Sequence, residues 1–173
     1  MFDGLEFQME GKFRNGHFDG VGTIVKRLFE IVKPNNAYFG EKDFQQLQIV
    51  KKLTTKYNLN VNVIACEIFR EDNGLAMSSR NERLTSEERS KASIIYETLK
   101  EVKVKFGTEN VSDIYKWVEQ VFNNQKLFEL EYFEIASETS LLPYNEELKE
   151  DKYRAFIAVF VNNIRLIDTI SLN

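Results

Sequence analysis

The feature that most constrains the fold of this chain is a short, nearly continuous apolar run at residues 61–66. Such a run is typical of a strand that is covered on both faces in a parallel sheet. A second short strand is predicted at residues 37–39, and apolar residues at helical spacing precede each strand. The order helix, strand, helix, strand with short connections predicts an α/β sheet layer in which the two strands run parallel.

Two amphipathic helices accompany these strands. The first opens at Gly16-His17-Phe18 and is stopped by Pro34. Its predicted buried stripe consists of Val21, Ile24, Val25, Leu28, Phe29 and Val32. The second helix has Asp43 as its candidate N-cap. Its predicted buried face consists of Phe44, Leu47, Val50, Leu53 and Tyr57.

The pattern changes after residue 81. Thr85 and Glu88 have the spacing of a capping box, and the helix that follows is predicted to end near Gly107. Its predicted buried residues are Ala92, Ile95, Leu99 and Val102. A further helix is predicted from Ser112, with Tyr115, Val118, Val121 and Phe122 on its apolar face.

Three apolar segments complete the chain, at residues 127–136, 155–161 and 164–170. Asn162-Asn163 is a plausible two-residue hairpin turn between the last two, because Asn tolerates positive φ. Helices followed by antiparallel strands predict a small α+β domain. We place the domain boundary in the loop 79–84, which gives domains of residues 1–79 and 80–173.

Composition narrows the class of protein. The 173 residues carry a net charge of −4, which argues against a protein that coats nucleic acid. The single cysteine, Cys66, excludes an internal disulfide and a multi-cysteine metal site, and it is predicted to be a buried, inert thiol. No signal peptide or membrane-length apolar stretch is recognised, which predicts a cytoplasmic protein. The charged run 146–152 is predicted to be a solvated loop.

The stretch from Tyr38 to Asn81 suggests an anion site. A strand that turns at Gly40 into a helix offers unpaired backbone N–H groups, and Lys42 adds a positive charge there. The loop Met77-Ser78-Ser79-Arg80-Asn81 adds two hydroxyls and a guanidinium that could grip phosphate oxygens. The residues therefore predict a nucleotide phosphate between two loops.

Each of these residues has a plainer interpretation. Lys42 could be a solvated lysine at a helix start, and Arg80 could be an ordinary loop cation. Gln46 could make a structural hydrogen bond at the edge of its helix. His17 is expected to be a structural, hydrogen-bonding histidine at a helix start, because no second histidine or nearby cysteine completes a metal site.

The motifs together resemble a known family. Gly16-His17-Phe18, Phe39-Gly40-Glu41-Lys42-Asp43, Gln45-Gln46-Leu47 and Gly74-Leu75-Ala76-Met77-Ser78-Ser79-Arg80-Asn81 are similar, in identity and spacing, to pantothenate synthetases, the pantoate–β-alanine ligases. The resemblance implies an ATP-dependent condensation of D-pantoate with β-alanine through a pantoyl-adenylate. Pyrophosphate and then AMP would be released.

The resemblance also implies an architecture and its ligands. The expected fold is α/β: the second part of a Rossmann-like nucleotidyl-transferase sheet, followed by a small α+β lid domain. The expected cofactors are ATP and Mg²⁺, the metal being bound mainly through the nucleotide rather than by a protein metal site. The protein is expected to form homodimers, with no nucleic-acid or membrane partner.

Site residues follow from the same resemblance. The implied catalytic residues are Lys42, Ser78 and Arg80. The implied ATP-binding residues are Gly40, Glu41, Lys42, Asp43, Phe69, Met77, Ser78, Ser79 and Arg80. Phe69 lies where the family's backbone contacts adenine. The implied pantoate-binding residues are Gln46, Val21, Ile24 and Val25.

The sequence departs from the family pattern in two places. Asn15 stands where the family usually has proline before Gly-His-Phe. The family's His-x-Gly-His loop needs two histidines, whereas His17 is the only one here. This chain therefore resembles the family's C-terminal portion, and by itself it is expected to be poorly active or inactive. Two alternatives remain open: a related adenylyl-transferring enzyme that uses another acid, and a non-catalytic nucleotide-binding or dimerisation module derived from the same family.

Overall fold

A computed structural model describes residues 2–146 and 152–173. Most of the charged run predicted to be a solvated loop, residues 147–151, lies outside the described residues. The chain divides into two compact units, Met1–Glu67 with Thr139–Leu142, and Ile68–Glu138 with Pro143–Asn173. The functional division into domains 1–79 and 80–173 stays a prediction.

Among its described residues, the first unit contains three α-helices, two 3-10 turns and a two-stranded parallel sheet. A 3-10 turn at Leu5–Phe7 precedes α1 (Glu10–Phe13) and α2 (His17–Val32). Strand β1 (Asn36–Gly40), a second 3-10 turn (Glu41–Asp43), helix α3 (Phe44–Lys56) and strand β2 (Asn62–Cys66) follow. Tyr38 lies opposite Ile64 in the parallel pairing of β1 with β2, which confirms the predicted strand direction.

Helix α3 supplies much of the core of this unit. Its predicted inward residues Phe44, Leu47, Val50 and Leu53 are all buried, as are Ile49 and Gln45. Tyr57 was predicted to be buried and is instead exposed, because the helix ends at Lys56 and Tyr57 is its C-cap. Asp43 occupies the N-cap position, but its carboxylate makes no capping hydrogen bond.

Helix α2 buries only part of the predicted stripe. Phe29 is buried as predicted, together with Phe18 and Gly22, whereas Ile24, Leu28 and Val32 are exposed. A β-carbon built on Gly22 would lie 2.5 Å from Cζ of Phe2, so the glycine lets that ring pack against the helix. The prediction was wrong for Ile24, Leu28 and Val32 because apolar spacing does not register a glycine as part of a packing face.

The prediction that residues 61–66 are covered on both faces is also wrong for this structure. Every residue of β2 is exposed or half-buried, and the thiol of Cys66, predicted to be buried, belongs to a half-buried residue. Helix α3 packs on both strands of the sheet. An apolar run therefore identified the strand but not the number of layers that cover it.

In the part that the structure describes, the second unit combines a 3-10 helix (Ser79–Arg83) and three α-helices with a three-stranded antiparallel sheet. Helices α4 (Ser86–Lys91), α5 (Ser93–Lys105) and α6 (Val111–Asn123) precede strands β3 (Phe128–Ser137), β4 (Tyr153–Val161) and β5 (Ile164–Ser171). The strand order is β3-β4-β5. Asn162, at φ 51°, makes the predicted turn between β4 and β5.

Several predictions made from local sequence patterns are confirmed in this unit. The capping box of Thr85 and Glu88 is present, with both reciprocal hydrogen bonds. The predicted core residues of the following helix are buried: Ala92, Ile95, Leu99 and Val102. The structure differs from the prediction in two details. The predicted single helix divides at Ala92, and α6 begins at Val111, with Asn110 as its cap, and not at Ser112.

No helix in residues 2–146 and 152–173 has both the length and the apolarity needed to cross a bilayer.

Candidate nucleotide and pantoate site residues

The predicted strand–turn–helix junction exists in the first unit. Gly40 ends β1, Glu41–Asp43 form one 3-10 turn, and α3 begins at Phe44. Lys42 lies in the middle of that turn, half-buried, and its ammonium pairs with no carboxylate among the described residues. An unpaired cation beside the first N–H groups of a helix is a favourable environment for an anion.

Adjacent glutamines on α3 have different roles. Gln45 is buried; its Nε2 donates to the carbonyls of Leu5 and Gln8, both at 2.8 Å, and its Oε1 accepts from the Glu10 amide. Gln46 is half-buried and makes no hydrogen bond within the part of the chain that the structure describes. Gln45 therefore fixes the N-terminal segment, and the amide of Gln46 has its donors and acceptor available for a ligand.

The other predicted pantoate residues lie on α2. Val21 and Val25 are half-buried and Ile24 is exposed, and α2 packs on α3. Ile24 lines a cleft together with Thr23, Lys26 and Tyr57. Val21, Val25 and Gln46 do not line that cleft, and the pantoate site stays a prediction.

His17 is the first residue of α2, as predicted, and its ring packs against Phe18 at 4.9 Å between centroids. Burial lowers the pKa of the imidazole, and the nearby Arg14 cation lowers it further, against the opposing effect of Glu10 and Asp43. The imidazole makes no hydrogen bond among the described residues, so the predicted hydrogen-bonding histidine is wrong for this part of the chain, and a structural role through ring packing stays a prediction.

In the second unit, two predicted ATP-binding residues, Phe69 and Met77, face each other across a small hairpin. The Met77 amide donates to the Phe69 carbonyl at 2.9 Å, and the Glu71 amide donates to the Leu75 carbonyl at 2.8 Å. Gly74, at φ 91°, makes the tight turn. Phe69 and Met77 are 71% and 52% exposed and line one open cleft, so the hairpin presents a paired apolar surface.

The phosphate-side residues follow this hairpin directly. Ser78 caps a 3-10 helix (Ser79–Arg83), and its Oγ accepts a hydrogen bond from the Arg80 amide at 3.2 Å. Ser79 and Arg80 are exposed. One Arg80 nitrogen, Nη1, donates to the Arg165 carbonyl at 3.4 Å, and the guanidinium pairs with no described carboxylate. A guanidinium with most of its donors unused can bind an anion through two oxygens.

This hairpin is held by residues that the sequence did not identify as functional. The Arg70 guanidinium donates to both carboxylate oxygens of Asp168 and to the Gly74 carbonyl, and it lies over the Tyr96 ring. Asn73-Gly74 is a turn signal that would have revealed the hairpin. No local signal points to Asp168, because it lies 98 positions from Arg70.

The described residues contain no group of three or more His, Cys, Asp or Glu side chains that could hold a metal ion. A metal bound by protein side chains alone therefore has no candidate within this part of the chain.

Comparison with known proteins gives a consistent result. A model of the family described as Pantoate-beta-alanine ligase matches residues 1–171. The chain is 64% identical over 171 residues to the pantothenate synthetase of Flavobacterium psychrophilum, covering 99% of this chain and 61% of that protein. It is 54% identical over 172 residues to the pantothenate synthetase of Christiangramia forsetii, with the same coverage. The chain thus spans about three fifths of the length of these relatives.

Solved structures agree with the fold. The pantothenate synthetase of Thermus thermophilus is 35% identical and superposes with a TM-score of 0.87, over 97% of this chain and 60% of the other. The pantoate-beta-alanine ligase of Francisella tularensis, solved with beta-gamma ATP and beta-alanine, is 32% identical. Its TM-score is 0.71, over 97% of this chain and 55% of the other. These similarities confirm the predicted α/β class with a separate small antiparallel sheet.

Proposed function

The chain belongs to the pantoate–β-alanine ligase family, and we propose on that premise that it acts in the ATP-dependent condensation of D-pantoate with β-alanine. The observation that carries the proposal is the family match over residues 1–171. The proposal also covers the domain division, with residues 1–79 acting in ATP and pantoate binding and residues 80–173 acting as the lid.

The proposed ATP-binding residues are those that the family resemblance implies. Gly40 ends β1, and Glu41, Lys42 and Asp43 form the turn before α3. Phe69 and Met77 lie in the hairpin, Ser78 caps the following 3-10 helix, and Ser79 and Arg80 begin it. Support comes from the unpaired Lys42 ammonium, the exposed Arg80 guanidinium, and the beta-gamma ATP in the structure of the Francisella tularensis relative.

The first step needs little covalent chemistry from the protein. A pantoate carboxylate oxygen attacks the α-phosphorus of ATP, the bond to the pyrophosphate oxygen breaks, and pyrophosphate leaves. Lys42, Ser78 and Arg80 are proposed as the catalytic residues, because an ammonium, a hydroxyl and a guanidinium can stabilise the negative charge that develops on a leaving pyrophosphate. In the second step the amine of β-alanine attacks the acyl carbon, AMP leaves, and a proton is lost from nitrogen.

Magnesium enters this proposal as part of the substrate MgATP. The described residues offer no cluster of metal-binding side chains, so the ion is proposed to be held mainly by the nucleotide phosphates.

Pantoate binding is proposed for Gln46, with Val21, Ile24 and Val25 contributing apolar contacts. The amide of Gln46 makes no hydrogen bond within the described residues, unlike the neighbouring Gln45, and this difference favours a ligand role for Gln46. The carboxylate and hydroxyl groups of pantoate are suitable partners for an amide.

We also propose a cytoplasmic homodimer. The exposed apolar side chains along α2, including Leu28, Ile31 and Val32, support an association surface in the first unit. Size-exclusion chromatography with light scattering would test it, and a monomer at micromolar concentration would contradict it.

The experiment that tests the function uses the natural protein that contains this chain. Its gene is introduced into a bacterial strain that requires pantothenate because it lacks this ligase, and growth without pantothenate is scored. Purified protein is then assayed for AMP formation that requires both pantoate and β-alanine.

Growth rescue together with substrate-dependent AMP is expected. ATP binding without AMP formation would favour a non-catalytic module, and adenylation of a different acid in a substrate panel would favour a related enzyme. Either result overturns the proposed function.

A further inference from the structure

A polar cluster of buried Asn81 with half-buried Glu71 and Arg89 adjoins the turn that carries Ser78, Ser79 and Arg80. Arg89 donates from Nε and Nη2 to the two carboxylate oxygens of Glu71, at 2.7 and 2.9 Å. The hydrogen bonds from Arg89 are the main reason that the pKa of Glu71 is lowered, and those from Asn81 add to the effect. The lowered pKa favours the charged form of Glu71, which is an acceptor in the hairpin that contains Phe69 and Met77.

Asn81 connects this carboxylate to the turn. Its Nδ2 donates to Glu71 Oε1 at 2.6 Å and to the Ala76 carbonyl at 3.1 Å, and its own amide donates to the Ser78 carbonyl at 3.0 Å. The residue is 1% exposed, and it is the buried residue of the Ser79–Arg83 helix. One side chain thus fixes both the end of the hairpin and the start of the turn.

Hydrogen bonding determines the orientation and the identity of this side chain. Both partners of Nδ2 are acceptors, so rotating the amide would direct its oxygen at a carboxylate and a carbonyl. Oδ1 has no partner among the described residues. An aspartate here would place a second carboxylate against Glu71, which explains why a neutral donor is required.

We propose that Asn81, held by Glu71 and Arg89, is a positioning residue that fixes the backbone of residues 76–81 so that Ser78, Ser79 and Arg80 meet the ATP phosphates. The inference rests on the proposed function, because it assigns Asn81 an action through that site. The side chains of Ser79 and Arg80 are exposed and are not fixed by burial, so the backbone beneath them sets where they point. A displacement of about 1 Å in such a group lowers reaction rates by about 100-fold.

The test uses Asn81→Ala in the natural protein, with the dissociation constant and KM for ATP as readouts. We expect ATP binding to weaken by about 10-fold or more, with the KM for β-alanine unchanged. Val118→Ala is the control for general destabilisation, because Val118 is fully buried on α6 in the same unit. It should lower the melting temperature without changing ATP affinity.

A double-variant cycle separates positioning from simple loss of structure. If Asn81 acts through the turn, Asn81→Ala and Arg80→Ala both remove the contact of Arg80 with ATP. In the Arg80→Ala background, Asn81→Ala should therefore weaken ATP binding by less than about 3-fold. Equal effects of Asn81→Ala in both backgrounds would contradict the proposal.

A second variant covers the case in which Asn81→Ala does not fold. Arg89→Met removes the fork from Glu71 and leaves Asn81 in place, and it should weaken ATP binding by a few fold. Lys91→Met is the matched control, since Lys91 forms an exposed pair with Glu87 on the same helix.

Failure of the unsubstituted protein to bind ATP would refute the proposed function. Unchanged ATP affinity in Asn81→Ala or in Arg89→Met, when the unsubstituted protein binds ATP, would refute the positioning role alone.

Discussion

Arg70 and Asp168 form a two-pronged ion pair, with Nη1 and Nη2 of the guanidinium 2.7 and 3.0 Å from the two carboxylate oxygens. The Tyr96 ring covers the guanidinium at 3.5 Å from its centroid. The carboxylate is almost entirely buried, and it also accepts a hydrogen bond from the Thr169 amide. This pair attaches the hairpin of Phe69 and Met77 to the antiparallel sheet.

Removing one partner of this pair should destabilise the protein strongly. Arg70→Met removes this guanidinium from the buried Asp168 carboxylate, and we expect the free energy of unfolding to fall by about 3 kcal/mol. Urea denaturation measures the change. Lys91→Met removes an exposed pair and should cost less than about 1 kcal/mol. Equal losses in the two variants would mean that the buried pair contributes no more than a surface one.

Loss of the proposed phosphate-binding cations should affect catalysis and not folding. Arg80→Ala removes an exposed guanidinium, and we expect adenylation of pantoate to slow by about 100-fold or more. Lys42→Ala should act in the same direction. Pantoate-dependent pyrophosphate release measures the rate, and circular dichroism checks the fold. If both variants release pyrophosphate at the rate of the unsubstituted protein, neither residue takes part in catalysis.

Gly20 and Gly22 on α2 allow the effect of a glycine-to-alanine substitution on stability to be compared within one helix. A β-carbon on Gly22 would meet the Phe2 ring at 2.5 Å, whereas one on Gly20 meets nothing within 4 Å. Gly20→Ala should raise the free energy of unfolding by about 0.5–1 kcal/mol, because alanine suits a helix interior better than glycine. Gly22→Ala should lower it by about 1–3 kcal/mol through overpacking. Thermal denaturation distinguishes the two, and equal stabilisation would show that the Phe2 ring moves aside without cost.

The pH dependence of stability between pH 7.5 and 5.5 should include a contribution from His17. Its pKa is lower in the folded chain than the unfolded value near 6.5, mainly because of burial. The unfolded chain therefore binds more protons as the pH falls through 6.5, and stability decreases. His17→Gln should reduce this decrease, as measured by urea midpoints at the two pH values. Because His17 is the only histidine, its NMR titration gives the pKa directly, and a value above 6.5 would contradict the expectation.

Features that depend on neighbouring residues were predictable from the sequence. The capping box of Thr85 and Glu88 uses groups three positions apart, and the buried face of α5 follows from helical spacing. The parallel pairing of β1 and β2 followed from the order of the elements. These are local rules, and tertiary packing did not override them.

Features that depend on distant residues were not predictable. The buried face of α2 depends on contact with Phe2, and the coverage of β2 depends on the layers around it. The site motifs identified Ser78, Ser79 and Arg80 by resemblance, and their roles stay predictions. Glu71 and Arg89 are charged residues of a kind that is common on protein surfaces. Only the structure shows that they form an ion pair.

The attachment of Arg70 to Asp168 also sets an order for folding. The two residues are 98 positions apart, so a ribosome must synthesise almost the whole second unit before the hairpin acquires its anchor. Long-range contacts of this kind form late, because the entropy of closing the intervening chain is lost before the contact contributes stability. The loop that carries Arg80 is thus expected to reach its final conformation only after β5 has joined the sheet.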